Sequence, residues 1–271
     1  MSIAVPTANQ TIKAAQMPLV AQLGATILRT LRVSLRNPFP LVVPLLISLF
    51  FLFIYEGQLG QAASFFLQGQ DYLGFILPLS IVSAAFSGAG LSGQSLVRDL
   101  ESGYFDKLQL TPISRAALVF GPIVAAGLVL IVQTVILLAV GFLIGLEVAT
   151  GWLGLLALLG YTLLVGIGFG SFTVGVALLS GNAAATEGAS FLFFPLSFLT
   201  ATFVPLDLLD GWLAVAARIN PITYVLNATR ALVLTGWEQQ ALLSGLLAGA
   251  LLAALGFGFA LNGLRVRSRQ R

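Results

Sequence analysis

Charged residues are so sparse along this chain that they punctuate long apolar runs. Arg36 and Glu56 bound residues 37–55, Asp71 and Arg98 bound 72–97, and Arg115 and Glu147 bound 116–146. Glu147 and Glu187 bound 148–186, Glu187 and Asp207 bound 188–206, and Glu238 and Arg265 bound 239–264. The runs are 19, 26, 31, 39, 19 and 26 residues long. A helix crosses the bilayer hydrocarbon in about 20 apolar residues, so every run can hold one span. The 39-residue run would hold two only with almost no loop, so six is the economical count. Periodicity does not separate helix from strand in uniformly apolar runs, but length does. Membrane β-strands are about 10 residues long and alternate polar with apolar side chains. The pattern predicts an all-α membrane protein with six transmembrane helices.

Ahead of the first run the pattern changes. Leu19, Leu23, Ile27, Leu31 and Leu35 recur on one helical face, and Arg29, Arg32 and Arg36 cluster on the opposite one. Such a segment, predicted over 14–36, forms an amphipathic helix lying in the membrane interface. Two roles fit it: an elbow that positions the first span and touches a cytoplasmic partner, or a plain anchor held by anionic lipid.

Composition agrees. The chain of 271 residues is 58% hydrophobic and 8% charged, whereas a soluble domain carries about 25% charged residues. That argues against a soluble enzyme and against a disordered chain. There is no cysteine and no histidine. Thiol nucleophiles, zinc thiolates, the commonest metal ligand and the usual general base are therefore missing, and no metal site is expected. The first long apolar run follows Arg29, Arg32 and Arg36, with no small-residue cleavage site after it, so it is read as a retained helix. With six spans and the N-terminus inside, the inner segments hold 11 basic residues and the outer ones only Arg218 and Arg230. This positive-inside bias sets an N-in, C-in topology. Trp152, Trp212 and Trp237 then all fall on the outer side, where interfacial anchors belong.

Two polar segments are candidates for function. Residues 98–115 hold six of the 23 charges. Ser102 can cap a short helix there and Thr111-Pro112 can stop it, leaving Phe105 and Leu108 on one face beside Tyr104. An apolar ridge among mixed charges suits docking into another protein's groove, or resting on lipid. Residues 205–238 hold Asn220-Pro221, Tyr224 and Arg230 and are too polar for an ordinary span. They fit re-entrant half-helices, or an ordinary outer loop. No acidic residue sits near the centre of a run, so a proton relay is not evident. A phosphate-binding Gly-x-x-x-x-Gly-Lys loop is also absent from the sequence.

Together these pieces resemble the membrane subunit of a type-2 ATP-binding-cassette (ABC) transporter, of the daunorubicin-resistance permease group. In the first inner loop Glu101, Gly103, Tyr104, Phe105, Asp106, Lys107, Leu108, Thr111 and Pro112 are similar to that family's coupling-helix pattern, with Tyr104 where Thr is frequent. The stretch 219–230, with Asn220, Pro221, Tyr224 and Arg230, is similar to its C-terminal signature. The resemblance covers essentially the whole chain as one permease domain. It implies an exporter that moves an amphiphilic or lipid-like substrate or drug across the bacterial plasma (inner) membrane. It also implies two copies of a separate ABC ATPase subunit, which bind ATP and Mg, and a second permease subunit forming a homodimer. This chain itself would bind no cofactor, carry no catalytic residue and meet lipid but no nucleic acid. Phe105 and Leu108 would fill a groove of the ATPase, Asp106 would meet a basic residue there, and the 205–238 segment would gate the outer exit. The rival readings are an ion-gradient-driven secondary transporter and a membrane enzyme. The enzyme reading would rest on Asp207 and Asp210, the only close acidic pair in the outer segment.

Overall fold

A computed structural model describes residues 17–63, 67, 71–200, 202–203 and 205–269. Lys13, residues 14–16 and Arg271, which entered the topology and the interfacial-helix expectation, lie outside them. The described residues are almost entirely helical and contain no strand. Five helices are long and apolar enough to cross a membrane: α2 (Phe39–Ala63), α3 (Tyr72–Glu101), α5 (Arg115–Leu143), α6 (Gly151–Ser180) and α11 (Gln239–Arg269). Ahead of them lies α1 (Leu19–Arg36), and α4 (Tyr104–Gln109) occupies the loop between α3 and α5. The rest are short: α7 (Ala183–Phe191), α8 (Phe193–Phe198), a single 3-10 turn (Leu206–Leu208), α9 (Gly211–Ile219) and α10 (Pro221–Leu234).

Capping chemistry sets several of these boundaries. The Asp71 carboxylate accepts from the Leu73 and Gly74 amides at the start of α3, Ser114 accepts from Ala117 N at the start of α5, and Asn182 accepts from Ala185 N at the start of α7. Asn220 caps α10, with Pro221 at its first position. Gly181, at φ 59°, closes α6.

The buried centre of the bundle is α3, which packs against α2, α5, α6, α7 and α10. By contrast α2 is mostly exposed, with large apolar side chains such as Phe39, Leu46 and Phe50 facing outward. The tightest pair is α6 with α11. They run parallel, Gly168 lying against Leu252 and Gly256, and Gly175 against Phe259 and Gly263. A Cβ on Gly256 would strike the carbonyl of Gly168. Lipid supplies no hydrophobic drive for two apolar helices to pair, so close backbone approach through small residues takes its place.

The run at 188–206 differs from one continuous span. It folds as α7, which begins before the run, and then α8, with a break at Leu192. Pro195 sits in the first turn of α8, where its missing N–H is not needed. Near 200 the helix gives way to a hydroxyl-stapled turn in which Thr200 and Thr202 both donate to Ser197 O, at 2.8 and 2.7 Å. The broken segment still traverses the bundle. It starts where Gln94 Nε2 donates to Ala183 O and ends where Arg230 joins Thr202 O to Phe75 O. Positions 75 and 94 of α3 are about 28 Å apart at about 1.5 Å per residue.

Candidate functional site

The loop at 98–115 is built by a left-handed glycine. The last turn of α3 ends at Ser102, whose hydroxyl turns back to Asp99 O. The chain reverses at Gly103, φ 66°, which is the residue preceding α4. The expected Ser102 cap of the short helix is therefore corrected: a residue that can enter the left-handed region begins α4, and Ser102 closes α3. Thr111 Oγ1 donates to Leu108 O at 2.6 Å, and Ser114 then caps α5.

The apolar ridge of this loop faces the protein's own interior. Phe105 is 2% exposed and packs in a cluster with Leu96, Val97, Leu118 and Leu178, and Leu108 packs against the same cluster. These are the two side chains that sequence reasoning aimed at a partner's groove; here they seat α4 on the ends of α3, α5 and α6. Exposed on α4 and its flanks are Glu101, Ser102, Lys107, Leu110, Thr111 and Pro112. Leu110 is 89% exposed. Gly103, Tyr104 and Asp106 are half-buried.

From the side, α1 braces this loop. The Arg29 guanidinium forms a two-pronged contact with Asp99, Nη1–Oδ2 2.7 Å and Nη2–Oδ1 2.5 Å, and lies 4.1 Å from the centre of the Tyr104 ring. The hydrogen bonds to Asp99 raise the Arg29 pKa above its ordinary value, against the opposing effect of burial. At the other end of the loop, Gln22 Oε1 accepts from Ser114 N at 2.7 Å, and Thr26 Oγ1 donates to Ala117 O at 3.2 Å. The buried stripe of α1 is thus Gln22, Thr26 and Thr30, polar throughout, while Leu19, Val20, Leu28 and Leu35 are exposed. Sequence reasoning grouped Arg29, Arg32 and Arg36 on one interfacial face. The structure separates them: Arg29 turns inward to Asp99, and Arg32 and Arg36 are exposed. It also missed Gln22 and Thr26, whose signal was present as the four-residue spacing of Gln22, Thr26 and Thr30 between the leucine and arginine faces.

The other sequence candidates come together at the opposite end. Asn220 Oδ1 accepts from Ile222 N, while its Nδ2 donates to Leu196 O at 2.8 Å and Leu199 O at 3.0 Å. Tyr224 Oη donates to Arg218 O at 2.7 Å, which fixes the α9–α10 corner over Pro221. Arg230 is buried, donating from Nε to Phe75 O at 2.9 Å and from Nη2 to Thr202 O at 2.7 Å, with its guanidinium 3.5 Å from the centre of the Phe75 ring. One cap and one guanidinium therefore fasten the α9–α10 hairpin to the end of α8 and to the first turn of α3.

Between these two ends lies a groove of about 610 Å³ bounded by α2, α3, α7 and α8. Phe51, Tyr55 and Phe86 form apolar wall, Ser80 and Ser83 line its middle, and Arg98 and Glu187 stand at the end nearest the loop. Among the described residues no group of three or more His, Cys, Asp or Glu side chains could hold a metal ion.

The sequence profile of the family described as ABC-2 type transporter matches residues 21–234. The chain belongs to the ABC-2 type transporter family. This permease is 23% identical over 193 residues to the daunorubicin resistance ABC transporter permease protein DrrB1 of Streptomyces coeruleorubidus, covering 71% of this chain and 66% of that one. It is 27% identical over 199 residues to the putative transport permease ycf38 of Cyanophora paradoxa, covering 72% and 68%. It is 26% identical over 170 residues to the probable multidrug ABC transporter permease YbhR of Escherichia coli strain K12, covering 60% of this chain and 45% of that one. The family match runs from within α1 to the end of α10 and includes the braced loop and the Asn220–Arg230 corner. The protein is thus a multi-pass membrane permease of an ABC transporter, and membership implies association with an ABC ATPase subunit.

Proposed function

We propose that this permease is the membrane half of an exporter that moves amphiphilic or lipid-like compounds, drugs among them, across a bacterial plasma membrane. ATP is hydrolysed, with Mg, on two copies of a separate ATPase subunit, and two copies of this chain pair in the membrane with both termini inside. The observation that carries the reading is the braced loop. A six-residue helix is seated on three long helices by Phe105, within a loop clamped at both ends by α1, and left with one outward edge around Leu110. A lever needs a rigid mount and a free contact edge, and this loop has both. In this reading Glu101, Lys107, Leu110, Thr111 and Pro112 meet the ATPase. Gly103, Phe105 and Leu108 transmit its movement to α3, α5 and α6, and Tyr104 with Arg29 carries it to α1. The Asn220, Pro221, Tyr224 and Arg230 corner closes the outer exit. The drug-resistance names of the relatives support the substrate class.

The test is affinity purification of the tagged chain in mild detergent. The account expects an ABC ATPase to co-purify. A purified chain that alone transports an amphiphile into vesicles under an ion gradient would instead establish the secondary-transporter reading.

A further inference from the structure

The groove between α2, α3, α7 and α8 carries a charge pattern that names its ligand. This inference rests on the exporter reading and concerns what that pathway accepts. Along most of its length the groove is apolar wall interrupted by single hydroxyls, which accepts a hydrocarbon chain without fixing it. At the end nearest the 98–115 loop the lining changes to Gln94, Arg98 and Glu187.

Arg98 and Glu187 stand on helices of opposite direction. The side chain of a helical residue leans toward its own helix's N-terminus. Arg98 therefore leans from α3 back along the groove, and its Nε donates to Gln94 O at 3.3 Å, which holds it there. Glu187 leans the other way, toward the start of α7, and Gln94 ties that start to α3 through Ala183 O at 3.4 Å. The two charges converge on the same stretch of groove, yet no ion pair joins them among the described residues. Both side chains are exposed.

We infer that this groove end binds the head of a zwitterionic phospholipid of the phosphoethanolamine type, with its acyl chain lying along Phe86 and Phe51. The Arg98 guanidinium takes the phosphate, since its planar fork matches two phosphate oxygens. The Glu187 carboxylate accepts from the primary ammonium. A quaternary ammonium has no N–H to give a carboxylate and is better met by an aromatic cage, so a choline head fits less well. A head with one negative charge satisfies Arg98 but is repelled by Glu187.

Binding of lysophosphatidylethanolamine, lysophosphatidylcholine and lysophosphatidylglycerol of equal chain length to the purified chain, followed by native mass spectrometry, tests this. The ethanolamine lipid should bind about tenfold tighter than either of the others, since tenfold corresponds to about 1.4 kcal/mol, the scale of one charge-assisted contact. Arg98→Gln should weaken all three. Glu187→Gln should bring the ethanolamine lipid down to the level of the glycerol lipid without weakening the latter. Ser83→Phe, which fills the groove and touches neither charge, should weaken all three. Equal binding of the three lipids by the unaltered chain overturns the inference. So does a preference that survives both charge variants. Loss of a dimer in the lipid-free spectra of both charge variants would also overturn it, because the two charges would then meet across two copies. The assay contains no ATPase, so its failure removes the ligand and leaves the exporter reading standing. Failure of an ATPase to co-purify does the reverse.

Discussion

Phe105 and Leu110 are five residues apart and face opposite demands. Phe105 is 2% exposed among Leu96, Val97 and Leu118, whereas Leu110 is 89% exposed. Phe105→Ala should lower stability by about 3–5 kcal/mol through lost burial and a cavity. Leu110→Ala should change stability by less than about 0.5 kcal/mol. Thermal unfolding in detergent reads both, and a similar Tm drop in the two variants would show that the burial assignment is wrong. At the other end Asn220 does two jobs that can be separated. Asn220→Asp keeps the acceptor for Ile222 N but loses the amide that serves Leu196 O and Leu199 O. It should lower stability by about 1–3 kcal/mol, with Asn220→Ala lower still by the lost cap. An Asn220→Asp variant with the Tm of the unaltered chain would mean that the amide contacts carry nothing, and equal Tm of the two variants that the cap carries nothing.

At the scale of elements, α1 is joined to the bundle by polar side chains. Gln22 Oε1 accepts from Ser114 N, an amide that α5 cannot pair internally. Gln22→Leu leaves that amide orphaned and should cost about 1–3 kcal/mol. Its local signature is faster hydrogen exchange at Ser114 and its neighbours, with exchange at the α6–α11 seam unchanged. Faster exchange everywhere would mean that α1 supports the whole bundle instead. The seam has its own test. Gly256→Val drives a side chain into the Gly168 carbonyl and should lower stability by about 1–3 kcal/mol through overpacking. Gly258→Val, where nothing lies within 4 Å, should be tolerated.

These elements also mark how far the sequence could be read. The five long helices are legible because charge-free length alone requires them. The caps at Asp71, Ser114, Asn182 and Asn220 follow residue types that favour caps. The break at Leu192 is not legible, because an apolar run of 19 residues reads the same whether it is one helix or two. Nor is the direction of Phe105. Its spacing from Leu108 defines a ridge on α4 but not which side of α4 the bundle occupies. Arg29 illustrates the same limit: three arginines share a helical face, and only the tertiary position of Asp99 selects one of them.

For the whole molecule, the absence of cysteine makes direct mapping possible. Single cysteines at Leu110 and at Trp237, both exposed, report on opposite ends of the bundle. The topology reading predicts that a membrane-impermeant maleimide labels Trp237→Cys in intact cells and reaches Leu110→Cys only after lysis. Equal labelling of both in intact cells would refute the proposed orientation. In the proposed function an ATPase drives this permease through the braced loop. Thiol cross-linking in membranes from Leu110→Cys and from Trp237→Cys, followed by identification of the cross-linked protein, tests that drive. The account predicts an ABC ATPase joined to Leu110→Cys and absent from Trp237→Cys. No ATPase on Leu110→Cys, or equal amounts on both, would contradict it.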